Sequence, residues 1–172
     1  MKAETNDLMQ YMNVGLSGLR GRHHPSLSQV ITTGEVKQLR PHLKFLTGDY
    51  LTYERKYNES GHGNPLCRIC RVGNESISHI LTNCSAYNTQ RNKILKEIEE
   101  LCDLTLNNIN FSEIKSDSNK LTQFILDPTS FNLQKRVHIS DPIVPTMFKL
   151  SRNLCKAIHT ERTRKLSELA KK

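Results

Sequence analysis

The chain has 172 residues, a formal net charge of +8 and a hydrophobic fraction of 36%. At this length a single compact domain would bury about two-thirds of its unfolded surface. No apolar run approaches the roughly 20 residues that a membrane span needs, and the polar start of the chain lacks the apolar stretch of a signal peptide. We therefore expect an intracellular protein, in the nucleus or cytoplasm, and not a membrane-spanning or secreted one.

The first part of the chain is predicted to have little order, and two helices are predicted to follow it. Residues 1–25 have the composition of a weakly ordered segment, because several glycines interrupt any helix. Helical periodicity then predicts helices over residues 35–46 and 51–58. Tyrosines at helical spacing can stack nucleic-acid bases, but such a stripe more often faces a core, and we expect a core role. The stripe consists of Leu43, Leu46, Tyr50, Tyr53 and Tyr57.

A cluster of cysteines and one histidine follows. Three of the five cysteines and one of the seven histidines lie within 18 residues, spaced C-x2-C-x8-H-x4-C. Two cysteines three positions apart can hold one ion from a tight knuckle, and the second pair suits a short helix followed by a turn. A full set of four protein ligands leaves no open position for catalysis. The sequence predicts a structural Zn²⁺ cofactor with these ligands: Cys67, Cys70, His79 and Cys84.

Two alternatives to this zinc site remain open. The cysteines could be buried free thiols, since Cys is among the most buried residue types. His62, five residues before Cys67, is a rival ligand, although a loop histidine in solvent is the simpler interpretation. An odd number of cysteines with metal-ligand spacing favours a reducing compartment, and we expect Cys102 and Cys155 to be core thiols.

The remaining elements are also predicted to be helical. Residues 86–103 form the strongest helix, with Lys96 and Glu100 paired at i,i+4, and we expect it to pack against the knuckle. Residues 107–112 predict a turn, and Asp117 or Ser118 caps a helix that ends at Leu126. A last long helix opens near Pro142. The expected buried face of the helix over residues 86–103 consists of Ile94, Leu95, Ile98, Leu101 and Cys102. The expected buried face of the last helix consists of Met147, Leu150, Leu154, Ile158, Leu166 and Leu169.

These patterns predict a mostly α fold. It is a small helical domain built around a Cys3His zinc knuckle, with a long basic C-terminal helix. We divide it into a weakly ordered segment over residues 1–25, a helical zinc-knuckle region over 26–104, and a helical C-terminal region with a basic tail over 105–172.

The positive charge is concentrated near the C-terminal end. Residues 142–172 hold eight Lys and Arg against two Glu, a net +6 of the total of +8. This asymmetry favours an anionic partner such as nucleic acid, although a solvated basic helix gives the same pattern. We predict that five residues contact phosphates, and that Arg68 and Arg71 mainly offset the charge of the zinc thiolates. The five are Arg152, Lys156, Arg162, Arg164 and Lys165.

Catalytic motifs are missing from the sequence. It contains no paired-aspartate box, Gly-rich phosphate loop, G-x-S-x-G elbow or H-E-x-x-H motif. A nucleophile pair could be assembled in space from Cys155 with His138 or His159, but nothing in the sequence distinguishes these residues. We expect no enzymatic activity.

Several segments carry a resemblance to a known family. Residues 43–50 (LKFLTGDY), 67–70 (CRIC) and 78–84 (SHILTNC), with Arg91 in the helix that follows, are similar to the zinc-binding segment near the C-terminus of non-LTR retrotransposon reverse transcriptases. Residues 127–133 and 149–155 resemble the tail after this segment in invertebrate elements. The similarity covers roughly residues 20 to 168. Ser85 stands where many relatives have proline, and Arg71 where several have glycine.

The resemblance implies a fragment whose polymerase and endonuclease domains lie upstream. In that family the segment is taken to help the polymerase engage element RNA or target DNA, and only the four metal ligands carry over by position. We therefore expect Zn²⁺ binding, weak backbone-directed binding of RNA or DNA, contact with other retroelement proteins, and no polymerase activity. The alternative is a zinc-stapled protein-interaction or scaffold module.

Overall fold

The computed structural model describes residues 33–105, 111–131 and 143–171. Within these ranges the one β pairing is an isolated antiparallel bridge between Leu66 and Asn74. The predicted mostly α fold, with its Cys3His cluster and long C-terminal helix, is confirmed. The helices are α1 (Thr33–Leu46), α2 (Tyr53–Ser60), α3 (Asn88–Thr105), α4 (Phe111–Lys115), α5 (Ser118–Leu126) and α6 (Ile143–Leu169), with a π turn at His79–Asn83 and 3₁₀ turns at Ser85–Tyr87 and Pro128–Phe131.

Helix α2 begins two residues later than predicted because Thr52 is its N-cap. The backbone of Thr52 is extended, and its hydroxyl accepts a hydrogen bond from the Arg55 N–H at 3.1 Å. At the other end Gly61 adopts a left-handed conformation with φ 67°, which ends the helix. Local capping chemistry therefore decided these bounds, whereas the apolar periodicity alone placed them too early.

The region around α4 and α5 was predicted in part. Asp117 caps α5 by accepting hydrogen bonds from the N–H groups of Asn119 and Lys120, and the helix ends at Leu126, as expected. The predicted turn is wrong for its last two residues, because helix α4 begins at Phe111. The Phe111 ring lies 5.8 Å from that of Phe124, so burial against α5 stabilises a helix too short to form alone. Residues 107–110 lie outside the described ranges.

One hydrophobic core runs across both predicted regions. Helix α6 packs along α1 and α3, so the division at residue 104 falls inside a shared core, while segment 1–25 lies outside the described residues. The expected face of α3 is confirmed, with Leu101 partly buried, and Lys96 lies 3.7 Å from Glu100. Along α6, Leu169 is 38% exposed, so the predicted stripe ends before it.

The helices of the described ranges also bear on the membrane question. None of these described helices combines the length and the hydrophobicity that a membrane span requires.

Candidate metal centre

The four predicted ligands meet at one point beside the core. The Sγ atoms of Cys67, Cys70 and Cys84 and a ring nitrogen of His79 all lie within 4.8 Å of one another. The two Sγ atoms of Cys67 and Cys84 are 4.0 Å apart, and His79 Nε2 lies 3.2 Å from Cys70 Sγ. In a tetrahedral Zn²⁺ site with Zn–S bonds of about 2.3 Å, ligand atoms are about 3.5–3.8 Å apart. These two distances bracket this range, and the four atoms, which lie within 4.8 Å of one another, would draw together to hold an ion.

The first cysteine pair is presented by a tight loop. The Cys67 N–H donates to the Gly73 carbonyl at 3.0 Å, and the Arg71 N–H donates to the Cys67 carbonyl at 2.9 Å. Arg71 has φ 60°, which turns the chain so that the Val72 N–H donates to Cys70 Sγ at 3.4 Å. The first two bonds close the loop, and the Val72 N–H points at the Cys70 sulfur, where thiolate charge would develop.

The second pair is presented by the π turn. Because an α-helix repeats every 3.6 residues, residues five apart do not share its face. Here the Cys84 N–H donates to the carbonyl of His79 at 2.7 Å, which closes the wider turn between these two ligands. Ser76 Oγ accepts from the His79 N–H at 3.0 Å and fixes the start of the turn. The H-x4-C spacing therefore agrees with the predicted short helix followed by a turn, and the structure shows that this short helix is a π turn, His79–Asn83, with Cys84 directly after it.

The thiols of Cys67 and Cys84 are in hydrogen-bond contact, with their sulfurs 4.0 Å apart. A hydrogen bond from Cys84 lowers the pKa of Cys67 against the effect of its burial, and the same contact, with burial, raises the pKa of Cys84. Divalent metals bind the thiolate form, so loading the site releases such protons. Two buried sulfurs this close, with a histidine nitrogen and a third sulfur beside them, fit a metal centre better than a set of free core thiols.

Arg91 supplies a buried positive charge next to the cluster. Its side chain is buried, and its Nη2 atom donates to the Cys84 carbonyl at 2.7 Å. Nη1 is buried without a hydrogen-bond partner in the described part of the chain, and burial lowers the pKa of Arg91. A buried guanidinium needs a countercharge, and three thiolates around one Zn²⁺ carry a net charge of −1. The donor set and Arg91 together fit a zinc-loaded site.

Arg91, and not either of the loop arginines, is therefore the buried cation beside the cluster. Arg68 and Arg71 are exposed, and the Arg68 guanidinium lies over the Tyr53 ring, 4.6 Å from its centroid. The sequence contained a signal for Arg91, since it precedes Ile94 and Ile98 on the apolar face of α3 at intervals of three and seven. A charged residue at such a position is expected to have a buried partner.

Glu75, between the two ligand pairs, joins the metal loop to α6. Its carboxylate is fully buried and accepts hydrogen bonds from Arg162 Nε at 3.1 Å and Nη2 at 2.7 Å. It also accepts from the Tyr53 N–H at 3.0 Å, and Arg162 Nη2 donates to the Leu51 carbonyl at 3.2 Å. Sequence reasoning missed this pair, because the two residues are 87 positions apart and nothing local identifies either as a partner.

The possible cysteine nucleophile is not activated. Cys155 is fully buried, and burial raises the pKa of its thiol, the opposite of what a reactive cysteine needs. His159 Nδ1 instead forms a hydrogen bond of 2.9 Å with the hydroxyl of Tyr50, whose pKa burial raises to about 12. Cys102 is also buried, so both of the cysteines outside the cluster are core thiols, as expected. His138 lies outside the described residues.

The five predicted phosphate-binding residues do not form one surface. Arg152 is only 3% exposed and Arg162 is held by Glu75, so their assignment to phosphate contacts is corrected: both guanidinium groups belong to the interior. Arg164 and Lys165 are both paired with Glu161, and Arg164 also with Glu168. Lys156 is exposed. The two glutamates of this helix thus pair with Arg164 and Lys165, which lowers its excess positive charge without removing it.

A groove of about 250 Å³ opens beside the knuckle. His62 lies in its wall and is not part of the metal cluster, so the rival-ligand alternative does not hold. The predicted tyrosine stripe divides here: Tyr50 is buried at 3% exposure, whereas Tyr57 is 41% exposed and borders the groove. The core assignment was therefore wrong for Tyr57. The groove is lined by Tyr53, Lys56, Tyr57, His62, Gly63, Asn64 and Arg68.

No protein family, curated protein or solved structure matches this chain in the comparisons with known proteins. The candidate centre is thus described by its own geometry.

Proposed function

We propose that the chain is a Zn²⁺-binding and nucleic-acid-binding module, corresponding to the C-terminal zinc-binding fragment of a retroelement reverse transcriptase and without polymerase activity of its own. The observation that carries the metal part is the set of three sulfurs and one nitrogen within 4.8 Å, next to the buried cation of Arg91. Four protein ligands complete a tetrahedral shell, which is the arrangement of a structural site.

The metal would contribute folding free energy, as in other small zinc-stapled units. Cys67 and Cys70 would fix the loop that carries Arg68 and Arg71 at the surface, and His79 and Cys84 would fix the π turn next to α3. The module would therefore present its cationic loop only when metal is bound. This coupling connects the zinc site to the second half of the proposal.

Nucleic acid, either RNA or DNA, is the proposed partner. The net charge of +8 favours a polyanion, and contacts with phosphates give weak, salt-dependent binding without strong sequence preference. Other proteins of the same element are proposed as further partners. A scaffold role is the second candidate, and the ion pairs that Arg164 and Lys165 make with Glu161 favour it, because these cations are compensated within the chain.

The test combines metal content with binding. The purified protein should contain about one equivalent of zinc by mass spectrometry, and fluorescence anisotropy at about 50 mM salt should detect binding to single-stranded RNA or DNA. Cys67→Ser and His79→Ala should lose zinc and nucleic-acid binding together. Cys102→Ala, which removes a buried thiol outside the cluster, is the matched control and should retain both.

Two results would contradict the proposal. Less than about half an equivalent of zinc after purification under reducing conditions would remove the metal site. A zinc-loaded protein that binds neither RNA nor DNA at low salt would favour the scaffold role instead.

A further inference from the structure

We infer that the groove beside the knuckle binds single-stranded nucleic acid, with one base stacked on Tyr57 and the flanking phosphates held by Lys56 and Arg68. This inference rests on the proposed nucleic-acid function and assigns it to the groove in place of helix α6. It names the contacts and the class of strand, neither of which follows from the metal site.

Tyr57 is an aromatic side chain in an otherwise solvated helix. Helix α2 has no buried residue, and its sequence, YERKYNES, is polar apart from its two tyrosines. Tyr53, one turn earlier, is half-buried, and the cations of Arg68 and Lys56 lie 4.6 and 5.4 Å from its ring centroid. Tyr57 has no such ring contact in the described part of the chain. Its 41% exposed ring is thus available to stack on a ligand.

The charge of the groove complements a polyanion. No carboxylate lines it, and neither Lys56 nor Arg68 forms an ion pair with any described residue. This contrasts with Arg164 and Lys165 of α6, which are paired with glutamates. The Arg68 guanidinium is also held in place against the Tyr53 ring, so less side-chain entropy would be lost when it binds a phosphate.

The combination of ring and cations identifies the ligand class. An acidic peptide would use the cations alone, whereas a nucleic acid strand offers both phosphates and aromatic bases, as on other stacking platforms. A groove of about 250 Å³ is smaller than the roughly 300 Å³ and more of typical pockets for drug-sized ligands, which suits one base on an open surface. A base must be unpaired to expose its face, so a single strand is expected to bind better than a duplex.

The first test uses a fluorescent reporter. The chain contains no tryptophan, so Tyr57→Trp creates a single tryptophan at the proposed stacking position, which can be excited selectively over the remaining tyrosines. Single-stranded oligonucleotides should quench its emission in the zinc-loaded protein, and the matching duplex should quench it less. The control is Val36→Trp on α1, which places the same ring at a site that is 54% exposed and outside the groove. Its emission should change little.

The second test separates the groove from the rest of the surface. Tyr57→Ala should weaken single-strand binding about 5-fold to 150-fold, the range expected for one stacked base. Lys56→Gln with Arg68→Gln should flatten the slope of log K against log salt by about 1.4, at roughly 0.7 per phosphate contact. The matched control pair is Lys156→Gln with Lys165→Gln on α6, which should change the slope less.

The outcomes distinguish the two proposals. If the wild type binds but Tyr57→Ala binds equally well and Tyr57→Trp is not quenched, the groove is rejected while nucleic-acid binding stands. If the α6 pair changes the slope and the groove pair does not, or if the duplex binds better than the single strand, the groove is also rejected. A wild type that binds no strand rejects both. Parallel titrations with RNA and DNA of one sequence show which strand it prefers, and either supports the groove.

Discussion

At the scale of single residues, Arg71 has the least favourable backbone conformation that we observe. It is the one non-glycine residue with positive φ in the described ranges, at 60°. For an L-residue this left-handed conformation costs about 1–2 kcal/mol. The loop needs it because it directs the Val72 N–H to Cys70 Sγ, at 3.4 Å. A glycine at this position would adopt the same conformation with less strain.

We therefore predict that Arg71→Gly stabilises the zinc-loaded protein. The free energy of unfolding should rise by about 0.5–1 kcal/mol, since relief of the left-handed strain exceeds the entropic cost of glycine in the unfolded chain. Arg68→Gly is the control in the same loop: because Arg68 has no positive φ, and because the change also removes its contact with the Tyr53 ring, it should lower stability by at least about 0.5–1 kcal/mol. Urea unfolding measures both, and equal shifts for the two variants would contradict the explanation.

At the scale of elements, the Glu75–Arg162 pair connects the metal loop to α6. The two nitrogen–oxygen contacts of 3.1 and 2.7 Å are bidentate, and the glutamate side chain is fully buried. Buried pairs of this kind contribute little net stability compared with apolar replacements, but removal of one partner leaves an uncompensated charge. We therefore expect the pair to fix how the loop and the helix are placed relative to each other.

We predict a strongly non-additive double-mutant cycle for this pair. Glu75→Gln or Arg162→Met alone should each lower the free energy of unfolding by about 3–5 kcal/mol. The double variant should cost clearly less than the sum, because neither charge is then left alone. Glu168→Ala, which removes an exposed partner of Arg164, is the control and should cost less than about 1 kcal/mol. Additive effects of the two single changes would show that the pair does not act as a unit.

At the scale of the whole molecule, the metal cluster and the helical core are continuous. Cys67 and Cys84 are themselves members of the buried cluster that includes Ile98 of α3 and Leu154 of α6. The 3₁₀ turn after Cys84 leads directly into α3, and Arg91 of that helix holds the Cys84 carbonyl. Loss of the metal site should therefore destabilise the surrounding helices as well as the knuckle.

We predict that chelation lowers the stability of the whole described fold. Removal of the metal should shift the helical melting transition, followed by circular dichroism, to lower temperature as a single cooperative step. Cys102→Ala keeps the cluster intact but truncates a buried side chain, so its melting midpoint before chelation should be lower than that of the wild type. Chelation should lower that midpoint by the same amount as in the wild type. An unchanged melting curve after zinc removal, with the loss verified by mass spectrometry, would limit the role of the metal to the loop.

The sequence by itself determined the local features of this protein. The C-x2-C-x8-H-x4-C spacing specified the four clustered residues, Asp117 and Ser118 marked the start of α5, and the 3.6-residue period specified the buried face of α3. In each case the interacting groups are near neighbours along the chain, so spacing and local hydrogen bonding set the outcome.

Only the tertiary structure decided which charges and rings are available to a partner. Arg152 and Arg162 look like surface cations in the sequence, but packing of α6 against α1 and α3 buries the first, and Glu75 binds the second from 87 residues away. Tyr50 and Tyr57 belong to one apolar stripe, yet one lies in the core and the other borders a groove. The physical reason is that periodicity shows which residues share a face, whereas what covers that face depends on contacts between distant segments.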